Sequence, residues 1–155
     1  MVALSGNNNV YVSEESDHFL IKLYSSNGAY LRAFYYPHPN IPLTKKSASE
    51  GGITGTHFRH EFLLGHMGSM DLPQNWPVLT GMNIDDQDRL WVSTTVKDMK
   101  VYQWWVLKPN GQLIARFNWP RSKPIQVIKN GYLYTHETEE ESGLQQIVRY
   151  RIEMD

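Results

Sequence analysis

Two segments of the chain, LYSSNGAYLRAF (residues 23–34) and VLKPNGQLIARF (residues 106–117), share an Asn-Gly pair, a closing Phe and the same order of apolar positions. The two Asn-Gly pairs lie 83 residues apart. Asn-Gly readily adopts the positive φ angles of a tight turn between antiparallel strands, so each segment predicts a β-hairpin. The recurrence of the hairpin indicates that one structural unit is present more than once.

A second recurring segment lies upstream of both hairpins and occurs a third time near the end of the chain. Its copies are NNNVYVS (7–13), QDRLWVS (87–93) and KNGYLYT (129–135), which begin 80 and then 42 residues apart. Each copy places a polar turn before a short β-prone run that ends in Ser or Thr. The predicted strands are 2–5, 10–13, 19–24 and 29–36 in the first unit, 81–85, 90–94, 101–107 and 112–118 in the second, and 124–128, 132–135 and 146–152 in the third.

Apolar side chains occupy both faces of the segment VYQWWVL, residues 101–107. A strand of this kind is buried on both faces, as in a sheet that lies between two layers. Four antiparallel strands in about 40 residues, stacked face to face, are typical of a β-propeller blade. A β-sandwich also buries both faces of a strand, but it gives no reason for the four-strand pattern to recur.

The segment NIDDQDRLWVST (83–94) resembles the repeat of NHL-type and two-component-regulator propellers, in which Asp, a polar turn, an aromatic residue, Val and Ser or Thr follow one another. Over residues 2–36 and 77–153 the chain is similar to the C-terminal half of bacterial six-bladed β-propeller proteins. NHL-type repeats often have Gly in the turn where this chain has Asn9 and Arg89, although the third copy keeps Asn130-Gly131. The resemblance implies an all-β fold of about three four-stranded antiparallel blades, an incomplete propeller.

A partly helical insertion is expected between the first and second blades, because residues 38–76 fit no unit. A short helix is predicted to begin at Thr44, which can cap it, and to end at Gly51 and Gly52. Phe58 and Phe62 are spaced as on one face of a helix. A degenerate fourth blade is the alternative, since the offset of 80 residues is twice about 40. The chain is therefore divided into a blade (1–37), the insertion (38–76), a blade (77–120) and an incomplete blade (121–155).

Propellers usually close with about four to eight blades, so three blades leave two open flanks. Self-association into a dimer that completes a six-bladed ring is one expected solution. A missing remainder of the propeller is the other.

Composition excludes several classes of function. The net charge of −1 predicts no general attraction to nucleic acid or to anionic membranes. The absence of cysteine excludes disulfides, thiol catalysis and cysteine-bound metals. A soluble chain is expected, because it contains neither a signal-peptide pattern nor an apolar run of about 18 residues. The sequence does not indicate the cellular compartment of the protein.

All six histidines fall in predicted loops and in the insertion, on the side of the propeller where the loops between strands two and three meet the connections between blades. Loops are generally polar, which is a sufficient structural explanation. Rigidly displayed loops are also where propellers usually bind ligands. The candidate binding residues on this face are His18, His38, His57, His60, Glu61, His66 and His136.

A divalent metal is the one cofactor with candidate ligands, because His57, His60 and Glu61 share one side of the predicted helix. Amphipathic packing is the alternative role for this segment. The acidic turn DDQD (85–88) lacks the spacing of a calcium loop, so its carboxylates are expected to bond their own backbone.

The sequence contains no catalytic signature, so we expect a non-enzymatic scaffold or binding module with an unidentified ligand. The alternative implied by the resemblance is a metal-dependent hydrolase of the propeller lactonase type, or a fragment of one. A remnant without independent function is a third interpretation.

Overall fold

The computed structural model describes residues 1–14, 17–44, 47, 73–139 and 141–154. The described residues form three antiparallel sheets, ordered β1-β2-β3-β4, β5-β6-β7-β8 and β11-β10-β9, and none closes into a barrel. The predicted all-β class is therefore confirmed. The strands are β1 (Val2–Leu4), β2 (Val10–Val12), β3 (Phe19–Tyr24), β4 (Tyr30–Tyr36), β5 (Leu79–Ile84), β6 (Leu90–Thr95), β7 (Val101–Leu107), β8 (Leu113–Pro120), β9 (Ile125–Lys129), β10 (Tyr132–Thr138) and β11 (Gln145–Arg151).

The strands predicted from alternation and turn residues are all present in the described part of the chain. β3 and β7 match residue for residue, and the other bounds differ by at most three residues. The largest difference is at β10, which continues to Thr138 because its pairing with β11 extends to Thr138 opposite Gln145. Each sheet uses neighbouring strands joined in chain order, so its pairs are formed by local connections.

The turns before β2, β6 and β10 have the same backbone conformation. Asn8, Asp88 and Asn130 each lie two residues before the strand and have φ angles of 59°, 57° and 54°. Asn and Asp tolerate this left-handed region better than other side chains do. Asn9 and Arg89 do not have positive φ angles. Their turns therefore form without Gly at those positions.

The Asn-Gly hairpins are also confirmed, with φ angles of 83° at Gly28 and 90° at Gly111. Gly111 has a second role besides its turn. A Cβ added there would lie 2.3 Å from the ring of Phe34, and the Tyr36 hydroxyl donates to the Gly111 carbonyl. The second hairpin therefore lies directly against β4 of the first sheet.

The second sheet lies between the other two. Trp105 and Leu107 pack toward the first sheet, whereas Trp104 and Val106 pack toward the third, as their alternation predicts. The first core cluster is Tyr11, Phe19, Ile21, Leu23, Phe34, Val78, Leu79, Leu90, Val92, Trp105 and Leu107. The second is Trp91, Trp104, Val106, Ile125, Ile128 and Leu133.

The first strands of the three sheets are neighbours. β1 contacts β5, and β5 contacts β9, although none of these pairs is hydrogen-bonded into one sheet. The stack is therefore closest along this line of strands. The outer faces of the first and third sheets keep exposed apolar side chains, among them Tyr35 and Ile147.

Part of the predicted insertion is described at its two ends. Pro42 pairs with Asn75, and the Trp76 amide donates to the Ile41 carbonyl at 2.8 Å. The Ser47 amide donates to Thr44 Oγ1 at 3.0 Å, while the Thr44 amide donates to Ser47 Oγ at 3.0 Å. Reciprocal bonds of this kind occur at helix N-caps, the role predicted for Thr44. The predicted helix beyond Thr44, and the segment around Phe58 and Phe62, lie outside the described residues.

Among the described residues, no helix has both the length and the apolar character needed to cross a membrane.

Candidate functional site

The order of the antiparallel strands separates the connections into two sides. We define the loop face as the side that carries the β2–β3, β6–β7 and β10–β11 connections together with the chain that follows β4 and β8. The opposite side, here the turn face, carries the β1–β2, β5–β6 and β9–β10 turns and both Asn-Gly hairpins.

Two of the histidines predicted to form a binding surface, His18 and His38, lie on the loop face. His18 precedes β3, and its Nε2 lies 3.4 Å from the Asp17 carboxylate. The His38 ring lies 6.4 Å from the Trp105 ring, and its Nδ1 lies 2.9 Å from the Pro39 carbonyl oxygen. Burial lowers the pKa of His38, and the nearby Arg116 acts in the same direction. The His38 ring is therefore partly buried where the chain after the first sheet meets Trp105 of the second sheet.

His136 does not lie in a loop. It belongs to β10, opposite Ile147 of β11, and its Nε2 is 3.2 Å from Gln145 Oε1. The prediction that all histidines lie outside strands is therefore wrong for His136. The β10–β11 turn is shorter than expected because the Glu139 amide donates to the Leu144 carbonyl at 2.9 Å.

The predicted metal ligands His57, His60 and Glu61, together with His66, lie outside the described residues. Within the described ranges, no group of three His, Asp or Glu side chains is arranged to hold a metal ion. His18 lies next to the first sheet, just before β3, and His136 lies in the third sheet, and the second sheet separates these two sheets. A divalent metal on the loop face therefore stays a prediction that concerns the insertion.

The loop face carries a charged cluster that sequence reasoning missed. Lys123, in the connection after β8, places its Nζ 3.0 Å from Glu137 Oε2 and 2.8 Å from the Tyr150 hydroxyl. The other Glu137 oxygen accepts hydrogen bonds from Tyr150 at 2.8 Å and from Thr135 at 2.7 Å. The Glu137 side chain is 11% exposed and the Lys123 side chain 39% exposed. The Glu137 carboxylate is therefore largely enclosed, whereas the Lys123 side chain is partly exposed.

The hydrogen bonds of this cluster set its protonation. Burial acts to raise the pKa of Glu137, but the bonds from Thr135, Tyr150 and Lys123 outweigh it and hold that pKa below its ordinary value. The pKa of Lys123 is raised by its bonds to Tyr150 and Glu137. Both groups are charged at neutral pH. Alternation along β10 offered one clue, because Leu133 and Thr135 are buried and Glu137 is the next residue on that face.

Aromatic side chains hold the same connection in place. Trp119 donates its indole N–H to the Lys123 carbonyl at 2.6 Å and packs edge-on against Tyr150 at 5.0 Å. Arg121 lies 4.2 Å from the Tyr102 ring and donates to the Val101 carbonyl at 3.1 Å. Burial lowers the pKa of Arg121. The loop face thus presents fixed cationic groups beside aromatic rings, an arrangement suited to binding.

The acidic turn lies on the turn face. Asp85 accepts backbone hydrogen bonds from Gln87 and Arg89, both at 2.9 Å. Its other oxygen accepts from Arg89 Nε at 2.6 Å and from the Trp91 indole N–H at 2.7 Å. The prediction that carboxylates of this turn bond their own backbone is confirmed for Asp85.

The other two carboxylates of the turn connect the sheets. Asp88 accepts a bond from the Gly6 amide at 2.6 Å and another from the Asn7 side chain at 3.2 Å. Asp86 accepts a bond from the Asn130 amide at 2.8 Å. The turn of the second sheet is therefore bonded to the turns of both neighbours, which explains its acidic composition without a metal ion.

Comparisons of the sequence with protein-family models and with curated proteins gave no match.

Proposed function

We propose that the chain is an arc of a β-propeller that serves as a non-enzymatic scaffold or binding module, with the loop face as its contact surface. The observation that carries this proposal is the arrangement of the sheets. They share one strand order, stack face to face and bring β1, β5 and β9 together. Propeller blades are four-stranded sheets placed in this way around a central channel.

Recurrent local bonding supports the same proposal. The Asn9 amide donates to Ser5 Oγ at 3.1 Å, and the Arg89 amide donates to Asp85 Oδ1 at 2.9 Å. Ser5 and Asp85 follow the first strands of their sheets, and both bonds span four residues. A repeated unit explains why two segments with different side chains stabilise the same turn.

The loop face is the better binding surface of the two sides. Short connections between strands carry its described cations, and Lys123 is held by Glu137, Tyr150 and Trp119 while its side chain stays partly exposed. On the turn face, by contrast, the acidic turn is occupied by contacts between sheets. Preorganised groups lose less entropy when a ligand binds them.

A probe array tests this proposal. Oligosaccharides and peptides would be screened, and each hit would be titrated against a K97A/K100A variant of the loop face and a K108A variant of the turn face. All three lysines are exposed. We expect the loop-face pair to weaken binding at least about tenfold, which is about 1.4 kcal/mol, and K108A to leave it unchanged.

Two outcomes would contradict the proposal. Hits that depend on Lys108 and not on Lys97 and Lys100 would place binding on the turn face. A stoichiometric divalent ion in the purified protein, together with lactone hydrolysis that a chelator abolishes, would support the metal-dependent hydrolase instead.

A further inference from the structure

The outer face of the first sheet is apolar and uncovered by any described residue. We call this face the first flank, defined by Val2, Leu4, Leu20, Tyr30 and Tyr35. Phe19 and Ile21 point into the core, so Leu20 between them points outward, and Tyr35 lies opposite Leu20 on β4. Val2 and Tyr35 are each 65% exposed. An apolar face of this kind in a folded protein usually marks an interface.

The outer face of the third sheet combines apolar and cationic side chains. We call it the third flank, defined by Val127, Lys129, Ile147, Arg149 and Arg151. Val127 and Ile147 line a shallow depression. Lys129 and Arg151 lie at opposite sides of Tyr132 in register, and Arg149 lies 4.5 Å from the Tyr132 ring.

The two flanks differ in the sign of their charge. Among the described residues of the third flank, three cations face one carboxylate, that of Glu153, which lies 3.7 Å from Arg151. On the first flank, Lys22 points outward like Leu20 and is paired with Glu14 at 3.1 Å, and Asp17 adds a second carboxylate beside this face. First and third flanks are therefore electrostatically complementary, whereas two third flanks would bring cations together.

We propose that the first flank of one protomer packs on the third flank of a second copy, and that a two-fold axis repeats this junction to close a ring of six sheets. This inference rests on the propeller arrangement proposed above. Within one chain β1 contacts β5 and β5 contacts β9. The junction continues that series by placing β9 of one protomer against the partner's first strand. The exposed Tyr30 and Tyr35 rings then receive cations, as Tyr132 receives Arg149.

The two flanks cover equal areas. With strands about 4.8 Å apart and about 3.3 Å of rise per residue, each strand residue covers about 16 Å² of a sheet face. The strands of the first sheet have 3, 3, 6 and 7 residues and those of the third have 5, 7 and 7, so each face covers roughly 300 Å². Each protomer uses both flanks and contributes roughly 600 Å², so the dimer buries roughly 1,200 Å² in total, which is the lower limit for a specific, stable interface.

Site-specific cross-linking distinguishes this junction from other dimers, because the chain contains no cysteine. Val2→Cys protomers carrying an affinity tag would be mixed with untagged Val127→Cys protomers and treated with a short bismaleimide. Val2 and Val127 are exposed, and they lie on the first strands of the two outer sheets. A Val2→Cys and Lys108→Cys mixture serves as the control, since Lys108 belongs to neither flank.

We expect cross-links between Val2→Cys and Val127→Cys, and few in either protomer alone or in the control. Products formed only between two Val2→Cys protomers, or no product above the control, would overturn the proposal.

A charge variant gives an independent readout of the same junction. Arg149→Glu should weaken the dimer about tenfold or more by sedimentation at low salt, whereas Lys108→Glu should not. Equal dimer affinity for both variants would also count against the junction. Failure of the cross-link is distinguishable from failure of loop-face binding, which the K97A/K100A titration measures separately.

Discussion

Replacement of Asp85 tests the energetic role of the acidic turn. Its side chain is fully buried and accepts four hydrogen bonds, from Gln87, from two nitrogens of Arg89 and from Trp91. Trp91 is 1% exposed, so its indole N–H has no access to water once the carboxylate is removed.

The magnitude follows from the groups left behind by Asp85→Ala. An unsatisfied buried donor costs about 1–3 kcal/mol, and removal of one partner from a buried ion pair costs about 3–5 kcal/mol. The Arg89 side chain is 17% exposed and regains some hydration, so we expect a loss of about 3–5 kcal/mol in the free energy of unfolding. At about 2–4 °C per kcal/mol for a domain of this size, Tm falls by roughly 6–20 °C.

The assay is urea unfolding monitored by tryptophan fluorescence, with Asp98→Ala as the matched control. Asp98 also accepts a bond from a turn amide, that of Lys100 at 2.9 Å, but it lies at the surface. We expect the control to cost less than about 1 kcal/mol. The loss of unfolding free energy for Asp85→Asn should lie between those of the two alanine variants. The amide oxygen of Asn can still accept hydrogen bonds, whereas its NH₂ group faces two donors. If Asp85→Ala and Asp98→Ala are equally stable within about 0.5 kcal/mol, the role assigned to Asp85 is refuted.

Two further changes test the hairpin packing and the loop-face cluster. Gly111→Ala should destabilise the protein by about 1–3 kcal/mol more than Gly28→Ala in the same urea assay, since both have positive φ but only Gly111 places a Cβ against Phe34; equal losses would contradict the described contact. The lowered pKa of Glu137 means that its contribution to stability is present above the unfolded-state pKa and is lost as pH falls through the folded-state pKa. Thermal unfolding at a series of acidic pH values should show this loss in the native chain and a smaller loss in Glu137→Gln; identical slopes would show that the carboxylate is not stabilised in the folded state.

Local sequence patterns predicted the strands because their causes are local. Alternation in residues 101–107 separates Trp104 from Trp105, and the two indoles do pack against different sheets. Asn-Gly pairs fixed the two hairpins because few other dipeptides adopt their φ angles without strain. β10 was predicted too short because its end is polar, whereas its length is set by pairing with β11.

Local sequence patterns could not predict the charged cluster of the loop face, because its members are far apart in the sequence. Lys123, Glu137 and Tyr150 come from one connection and two strands, and only the fold brings them within hydrogen-bonding distance. The bonds of Asp86 and Asp88 to neighbouring turns are of the same kind. A single sequence indicates which residues form a turn, but it does not indicate which other turns lie next to that turn in the fold.

Light scattering coupled to size exclusion tests the central claim, that the three stacked sheets are an arc whose flanks are closed by a second copy. The chain has a mass of 18.0 kDa. We expect a monodisperse dimer of twice that mass at micromolar concentration, and a shift toward the monomer for Arg149→Glu. A folded, monodisperse monomer at the same concentration would contradict the claim.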